Sequence, residues 1–212
     1  MPDGPRAPRI YVLAGTNGAG KSSIAGAMLL RQRVEYFNPD EAARRILAAN
    51  PGISQTQANS AAWHEGRRLL ERAIAERLDF AFETTLGGRT ITDLLERAAS
   101  RGFEVRIWYV GLNGPELHIA RVRARVAKGG HDIPEPRIRE RYDASRLNLI
   151  RLLPSLSELL VYDNSKEAHP DAGVAPEPRR VLHVRHGAVV GPRDLALTPA
   201  WAKAIVAAVI KA

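Results

Sequence analysis

The stretch Gly15-Thr16-Asn17-Gly18-Ala19-Gly20-Lys21-Ser22-Ser23 fits the phosphate-binding pattern G-x-x-x-x-G-K-[ST]. The apolar run at 10–14 predicts a buried strand before it, and the run at 24–30 predicts a helix after it. At such a turn, glycines let backbone amides surround phosphate oxygens, and the helix dipole adds to the attraction. All nine residues are therefore predicted to bind a nucleoside triphosphate, with Lys21 on the β- and γ-phosphates and Ser22 on Mg²⁺.

Strand patterns alternate with helix patterns along the rest of the chain. Strands are predicted at 34–37, 80–82, 104–110 and 159–162, and helices at 39–49, 56–77, 90–100, 115–127 and 135–152. This alternation is typical of an α/β fold with a parallel central sheet and helices on both faces, here the three-layer fold of P-loop kinases. We expect one domain over 9–212, after a disordered tail at 1–8, with a C-terminal hairpin and helix at about 180–212.

Composition limits the classes of function. The 212 residues include 31 Lys and Arg against 23 Asp and Glu, a net charge of +8, and no cysteine. The missing thiols exclude disulfides and thiolate metal sites, and no apolar run has the length of a membrane span or of a signal peptide core. We therefore expect a cytoplasmic protein with no membrane partner. The basic charge suits an anionic partner, although an arginine-rich proteome explains it equally well.

Two carboxylates follow predicted strands, at the sheet edge where ligands of parallel sheets gather. Asp40 follows the second strand and is predicted to be the general base that accepts a proton from an incoming hydroxyl. The alternative is an ordinary carboxylate stabilised at a helix N-terminus. Glu83 ends the third strand and is predicted to contact substrate or Mg²⁺, the alternative being a structural ion pair.

Other residues near these strand ends are candidates for ligand contacts. Thr84, Thr85 and Arg89 are predicted to bind the substrate, since the glycines at 87 and 88 allow close approach. The alternative for the two threonines is that they are simple caps. Asn164 ends the fifth strand, where an adenine would pack. Trp63 lies in a predicted helix, either facing the core or lining a substrate pocket.

A pair of arginine-bearing helices predicts a lid over residues 115–150. Arg121 and Arg125 are four residues apart on one helix, and Arg137 and Arg141 repeat this spacing after the glycines at 129 and 130. Arginines on a flexible lid would fold over the triphosphate and exclude water. The alternative is that both sets lie on solvated helix faces.

Read together, these landmarks resemble the zeta toxin family of P-loop kinases, in particular its short bacterial branch. The matching strings are GTNGAGKSS, FNPDEAA, FETTLGGR, RVRARVAKGGHDIPEPRIRERY and VYDNS, between residue 10 and about 165. The resemblance implies an ATP- and Mg²⁺-dependent kinase that phosphorylates the 3′-hydroxyl of UDP-N-acetylglucosamine. It also makes an antitoxin protein a candidate partner.

The same resemblance assigns roles to residues of this chain. It implies that Lys21 and Ser22 hold phosphate and Mg²⁺ and that Asp40 is the general base. It also implies that Glu83 and Thr85 contact the sugar-nucleotide, and that Arg121 and Arg125 neutralise the phosphates. The string GGHDIPEPRIRERY in the lid region departs from the toxin pattern, so the resemblance does not settle which lid arginine has which role.

Two other functions compete with a kinase of a small hydroxyl substrate. A polynucleotide- or tRNA-directed kinase fits the basic charge, but the aromatic content of 6% offers no evident array for stacking bases. A nucleotide-switched module that binds a partner protein with little turnover also fits the phosphate loop. Asp40 separates the hypotheses, because a kinase needs that carboxylate for turnover whereas a switch tolerates its loss.

Overall fold

The computed structural model describes residues 6–22, 24, 34, 36–166 and 177–211. The strands are β1 Arg9–Ala14, β2 Tyr36–Phe37, β3 Phe80–Thr84, β4 Glu104–Gly111, β5 Glu158–Asp163, β6 Arg179–Arg185 and β7 Ala188–Gly191. The α-helices are α1 Pro39–Ala49, α2 Gln55–Glu76, α3 Arg89–Ser100, α4 Pro115–Val126, α5 Glu135–Leu152 and α6 Lys203–Lys211. Short 3₁₀ turns, Leu153–Ser155 and Ala200–Ala202, follow α5 and precede α6.

All seven strands form one sheet in the order β2-β3-β1-β4-β5-β6-β7. The pairs among the first five strands are parallel, which confirms the predicted parallel sheet with its crossover helices. The predicted C-terminal hairpin also forms, and β6 extends the sheet by pairing antiparallel with β5. The sequence did not predict that the hairpin joins this sheet.

Strand β1, the middle one of the five parallel strands, is buried on both faces. Ile10, Val12 and Ala14 join the larger apolar core, with residues of α2, α3, α5 and α6. Tyr11 and Leu13 face a second core that includes Ile24. Ser22 and Ile24 are helical, and the remainder of the helix predicted at 24–30 lies outside the described residues.

Local signals set the helix starts near the site. Asn38 caps α1, since its side-chain oxygen accepts hydrogen bonds from the amides of Asp40 at 2.9 Å and Glu41 at 3.3 Å. Ser54 and Gln57 form a capping box at the start of α2. The Asn38 cap confirms the predicted start of α1 and fixes the backbone of Asp40 directly after β2.

Two further predictions concern the chain as a whole. Of the predicted tail at 1–8, residues 1–5 lie outside the described residues, and the single-domain boundaries stay a prediction. Within the described part of the chain, no helix combines the length and apolarity required to cross a membrane.

Candidate active site

The predicted phosphate loop connects β1 to a helical turn, and its glycines adopt conformations that other residues avoid. Gly20 has a φ of +81°, and a Cβ there would lie 2.4 Å from the side-chain nitrogen of Asn164. Gly15 has a φ of +143°, and a Cβ would lie 2.2 Å from the carbonyl oxygen of Val110. The left-handed backbone and the close neighbours explain why glycine is needed at both positions.

Lys21 is folded back over the loop and is 7% exposed. Its Nζ donates a hydrogen bond to the Gly15 carbonyl at 2.6 Å and lies 3.5 Å from the Thr16 carbonyl. The same ammonium lies 3.5 Å from Oε1 of Glu83. Lys21 therefore sits between the phosphate loop and the end of β3. Ser22 lines the cavity beside it, and Ser23 lies outside the described residues.

Three side chains from other elements brace the loop. His118 of α4 contacts the Asn17 carbonyl through Nδ1 at 2.7 Å, and Arg141 of α5 donates to Oδ1 of Asn17 at 2.7 Å. Asn164, after β5, donates to the Ala19 carbonyl at 2.9 Å. The contacts of His118 and Arg141 with the loop were not predicted. Asn164, which was predicted near adenine, supports the loop from below and also lines the cavity.

Burial lowers the pKa of two of these three side chains, His118 and Arg141. His118 is 1% exposed, and burial lowers its pKa from 6.5 to about 4. The imidazole is therefore neutral at pH 7, and its contact with a carbonyl places the proton on Nδ1. Burial and the nearby Arg137 lower the pKa of Arg141, although a guanidinium stays charged.

An open cavity of about 1740 Å³ lies above the loop and collects most of the predicted site residues. It is lined by Asn17, Gly18, Gly20, Lys21, Ser22, Asp40, Glu83, Thr84, Thr85, Arg121, Arg125 and Asn164. Gly15, Thr16 and Ala19 are buried at the base of the loop. Arg89 is exposed at the start of α3 and does not line the cavity, so the structure does not bring this predicted substrate contact to the site.

The two candidate carboxylates have different surroundings. The Asp40 side chain is 46% exposed, with Oδ2 3.8 Å from Arg125 and Oδ1 4.0 Å from Nε2 of His131. Its carboxylate is therefore accessible from the cavity and has basic groups of the lid beside it. This position is compatible with a proton acceptor, while the cap at Asn38 is equally compatible with the helix-terminal alternative.

Glu83 is far less exposed, and its carboxylate is held by several donors. Its side chain is 13% exposed. Oε2 accepts a hydrogen bond from the Tyr36 hydroxyl at 3.0 Å and lies 3.5 Å from Nδ2 of Asn38. Burial and the negative charge of Glu83 raise the pKa of Tyr36, so the phenol remains a donor. The ion pair with Lys21, which was the alternative for Glu83, is present, and Glu83 also lines the cavity.

The two helices of the predicted lid, α4 and α5, and the segment between them share a small apolar cluster of Ile119, Val122, Ile133 and Ile138. That they act as a lid stays a prediction. Arg121 donates to the backbone carbonyls of Asn164 at 2.8 Å and Lys166 at 3.2 Å. Arg125 donates to the carbonyl of His131 at 3.2 Å. Arg137 and Arg141 line the same cavity, so the four arginines face it rather than lying only on solvated faces. Of these, Arg141 contacts a side chain of the phosphate loop.

Trp63 lines the cavity and is 41% exposed, so the core-facing interpretation is wrong. The core face of α2 is instead formed by Ala62, Leu70, Ala73 and Ile74, among others. The sequence could have predicted that Trp63 faces away from the core, because it shares one helical row with the polar residues Asn59 and Arg67.

Comparisons of the sequence with known proteins identify a family and a relative. A family model described as zeta toxin matches residues 1–171. An uncharacterized protein of Haemophilus influenzae is 34% identical over 131 residues, which cover 60% of this chain and 88% of that protein.

Two solved structures share the fold. The AvrRxo1-ORF1:AvrRxo1-ORF2 structure with sulphate ions matches with a TM-score of 0.67 at 18% identity, over 89% of this chain. The structure of the PezAT toxin–antitoxin system of Streptococcus pneumoniae matches with a TM-score of 0.56 at 17% identity, over 76% of this chain and 70% of that one. The chain spans 61% of the length of the AvrRxo1 chain that it matches. Because the zeta toxin match covers well over half of the residues and includes the phosphate loop, Asp40, Glu83 and the lid, this chain belongs to the zeta toxin family.

Proposed function

We propose that the protein is an ATP-dependent kinase that transfers the γ-phosphoryl group to a hydroxyl of a small acceptor. The observation that carries this proposal is the placement of Lys21 and Asp40 in one cavity, which is also lined by residues of the phosphate loop and by basic residues of α4 and α5. Phosphoryl transfer depends mainly on positioning and on neutralising charge, and these residues supply both. A related fold, AvrRxo1-ORF1:-ORF2, has been solved with ATP.

Each residue then has a role in the transfer. Lys21 would exchange its loop carbonyls for the β- and γ-phosphates, and Arg125 and Arg141 would neutralise phosphate charge from the lid side. The oxygen of the acceptor hydroxyl bonds to the γ-phosphorus while the bond to the β-phosphate oxygen breaks, and ADP leaves. Asp40 accepts the proton of the hydroxyl through its exposed carboxylate.

The donor set also fits Mg²⁺. This ion usually takes one or two protein oxygens, several waters and phosphate oxygens. The described residues contain no cluster of three or more His, Cys, Asp or Glu that could hold a metal on its own. Ser22 lines the cavity next to Lys21, so its hydroxyl would hold Mg²⁺ together with phosphates, with Glu83 as the nearest carboxylate of β3. When bound, the ion would neutralise charge on the triphosphate.

The leading candidate acceptor is the 3′-hydroxyl of UDP-N-acetylglucosamine. Its support is membership of the zeta toxin family and a cavity large enough for an acceptor beside ATP. Glu83 and Thr85 are the residues proposed to contact it. A cytoplasmic location fits this acceptor.

An antitoxin is proposed as a protein partner on the strength of the neighbours. AvrRxo1-ORF1 was solved in complex with ORF2, and the PezAT structure is of a toxin–antitoxin system. Growth arrest on expression of the wild-type chain alone, absent with Lys21→Ala, would support the need for a partner. Equal growth of both strains would argue against it.

The test of the kinase proposal is a direct assay with purified protein, ATP and Mg²⁺, with and without UDP-N-acetylglucosamine, read by the mass of the products. Asp40→Asn is expected to lower kcat roughly 100- to 10,000-fold. Its affinity for ATP should change little, whereas Lys21→Ala should weaken ATP binding. Glu41→Gln is the matched control, because Glu41 is the neighbouring exposed acid of α1 and lies outside the cavity lining.

The outcomes separate the competing functions. A sugar-nucleotide heavier by one phosphoryl group, lost in Asp40→Asn, establishes the reaction and this acceptor. Tight ATP binding with no product from any hydroxyl substrate, unchanged in Asp40→Asn, would instead favour a nucleotide-switched binding module.

A further inference from the structure

Residues 179–211, which form β6, β7 and α6, lie beyond the family match at 1–171, and the proposed reaction assigns them no role. Trp201 lies in this segment, in the 3₁₀ turn before α6, and is 4% exposed. It does not line the cavity, but its indole nitrogen donates a hydrogen bond to Oδ1 of Asp163 at 3.1 Å. Asp163 ends β5 and directly precedes Asn164, which supports the phosphate loop. The C-terminal segment therefore contacts the residue next to a support of the loop.

A first route of contacts runs from Trp201 through the end of β5 to the phosphate loop. The Asp163 side chain is 12% exposed, and its Oδ1 also accepts hydrogen bonds from the amide and the hydroxyl of Ser165. The turn that carries Asn164 is thus tied to the carboxylate that Trp201 holds. Asn164 in turn donates to the Ala19 carbonyl at 2.9 Å, so this route ends on the backbone of the loop.

A second route runs through the end of β4. The Trp201 ring packs against Gly111, the last residue of β4, so closely that a Cβ at this glycine would lie 2.4 Å from the ring. The carbonyl oxygen of the preceding residue, Val110, would lie 2.2 Å from a Cβ at Gly15, the first residue of the phosphate loop. The end of β4 thus contacts the indole through one residue and the loop through its neighbour.

A third route runs through α5 and α4. Arg146 of α5 donates from Nη1 to the Trp201 carbonyl at 3.4 Å, and its guanidinium lies 3.9 Å from the centre of the Tyr142 ring. Tyr142 packs edge-on against the imidazole of His118, with 5.6 Å between the ring centres. His118 contacts the Asn17 carbonyl at 2.7 Å. The three routes therefore begin at one tryptophan and end at three positions of the phosphate loop.

We propose that Trp201 is a positioning residue for nucleotide binding, which holds the phosphate loop in its binding conformation through Asp163, β4 and α5. A loop that is already ordered binds its ligand more tightly than one that must be ordered on binding. Trp201 acts through these neighbours and does not touch the nucleotide. The inference rests on the proposed function for the identity of the ligand, ATP, but it does not require transfer to any acceptor.

The test is the Kd of the full-length protein for AMP-PNP, an unreactive analogue of ATP, measured by calorimetry with Mg²⁺ present. Urea unfolding of each variant is measured alongside. Trp201→Phe keeps an aromatic ring but removes the donor to Asp163, and we expect it to raise the Kd roughly 2- to 30-fold, the range for residues that affect a site through others. Val209→Ala is the control, because Val209 is a buried residue of the same core in α6. It should lower the stability and leave the Kd unchanged.

Variants of Asp163 test the same hydrogen bond without a change in the core, so they serve even if Trp201→Phe does not fold. Asp163→Ala removes the acceptor and should raise the Kd within the same range. Asp163→Asn keeps a side-chain oxygen for the indole but loses the negative charge that lies 3.7 Å from Arg179, so it should recover most of the affinity. In the double variant Trp201→Phe/Asp163→Ala the two factors should not multiply, because both changes break one contact.

The results separate this inference from the kinase proposal. A raised Kd in Trp201→Phe and Asp163→Ala, with an unchanged Kd in Val209→Ala, supports the positioning role even if no hydroxyl compound is phosphorylated. A wild-type Kd in both Trp201→Phe and Asp163→Ala, with only the stability lowered, would overturn it even if the protein is an active kinase. An equal rise of the Kd in Val209→Ala would also overturn it, because the effect would then be a general loss of the C-terminal core.

Discussion

His118 should make this protein less stable in mild acid, and the size of the effect follows from the burial of its side chain. The side chain is 1% exposed beneath the phosphate loop, and burial lowers its pKa from 6.5 to about 4, with smaller contributions from Lys21 and Arg121. Between these two values the unfolded chain binds a proton at this position that the folded chain does not. The free energy of unfolding must therefore fall as the pH falls from about 6.5 towards 4.

The expected loss between about pH 7.5 and pH 5 is about 2 kcal/mol from this one group. With a urea dependence of about 2 to 3 kcal/mol per molar, the unfolding midpoint shifts by about 0.7 to 1 M. Other groups titrate in the same range, so the measurement is the difference between the wild type and His118→Phe. The variant keeps a planar ring but cannot titrate.

Removing the imidazole also leaves the Asn17 carbonyl without its 2.7 Å contact, which should destabilise the variant by about 1 to 3 kcal/mol at neutral pH. The assay is urea unfolding of both proteins at the two pH values. The variant should be the less stable protein at pH 7.5, and its disadvantage should shrink by about 2 kcal/mol at pH 5. A disadvantage that is the same at both pH values would refute the argument, because His118 would then titrate alike in the folded and unfolded chain.

Two further predictions concern the phosphate loop. Gly20→Ala should weaken ATP binding at least 10-fold, as measured by calorimetry. The reason is that Gly20 has a φ of +81° and that the new Cβ would lie 2.4 Å from the side chain of Asn164. An unchanged affinity would show that the loop relaxes freely. Arg141→Ala should raise the Kd for ATP roughly 10- to 100-fold through loss of a charged hydrogen-bond donor to the loop. Arg139→Ala is the control, because Arg139 is exposed on the same helix, and it should leave the Kd for ATP unchanged. An equal rise of the Kd in both variants would instead indicate that α5 as a whole is disrupted.

The fold could be predicted from the sequence because its signals are local. The phosphate loop fixes a strand and a helix on either side of it, and alternating apolar strands and amphipathic helices leave few arrangements other than a parallel sheet. The hairpin was also recognisable, but its pairing with β5 was not. β5 and β6 are consecutive strands, but residues 164–178 between them are too many for a tight hairpin turn, so the sequence carries no signal for the pairing of Leu159 with Val184.

The candidate site was predictable where residues are fixed by the ends of strands. Asp40, Glu83 and Lys21 reach one cavity because β1, β2 and β3 are parallel neighbours whose carboxyl ends lie together. Residues that come from the helices were harder to place. His118 is a single histidine on a basic helix, and only the docking of α4 against the loop reveals its partner.

Lys21 and Glu83 link the two halves of the proposed reaction. The ammonium of Lys21 is shared between the Gly15 carbonyl and Glu83, at 2.6 and 3.5 Å, and the residue is 7% exposed. An arriving triphosphate offers Lys21 stronger anionic partners, which draws the ammonium away from Glu83. The carboxylate of Glu83 then still accepts the hydrogen bond from the Tyr36 hydroxyl. Its other oxygen, no longer paired with Lys21, can accept a hydrogen bond from the substrate that is to be phosphorylated. ATP and the acceptor should therefore bind cooperatively in this cavity, and Glu83→Gln should reduce that coupling more than it reduces the affinity for ATP alone.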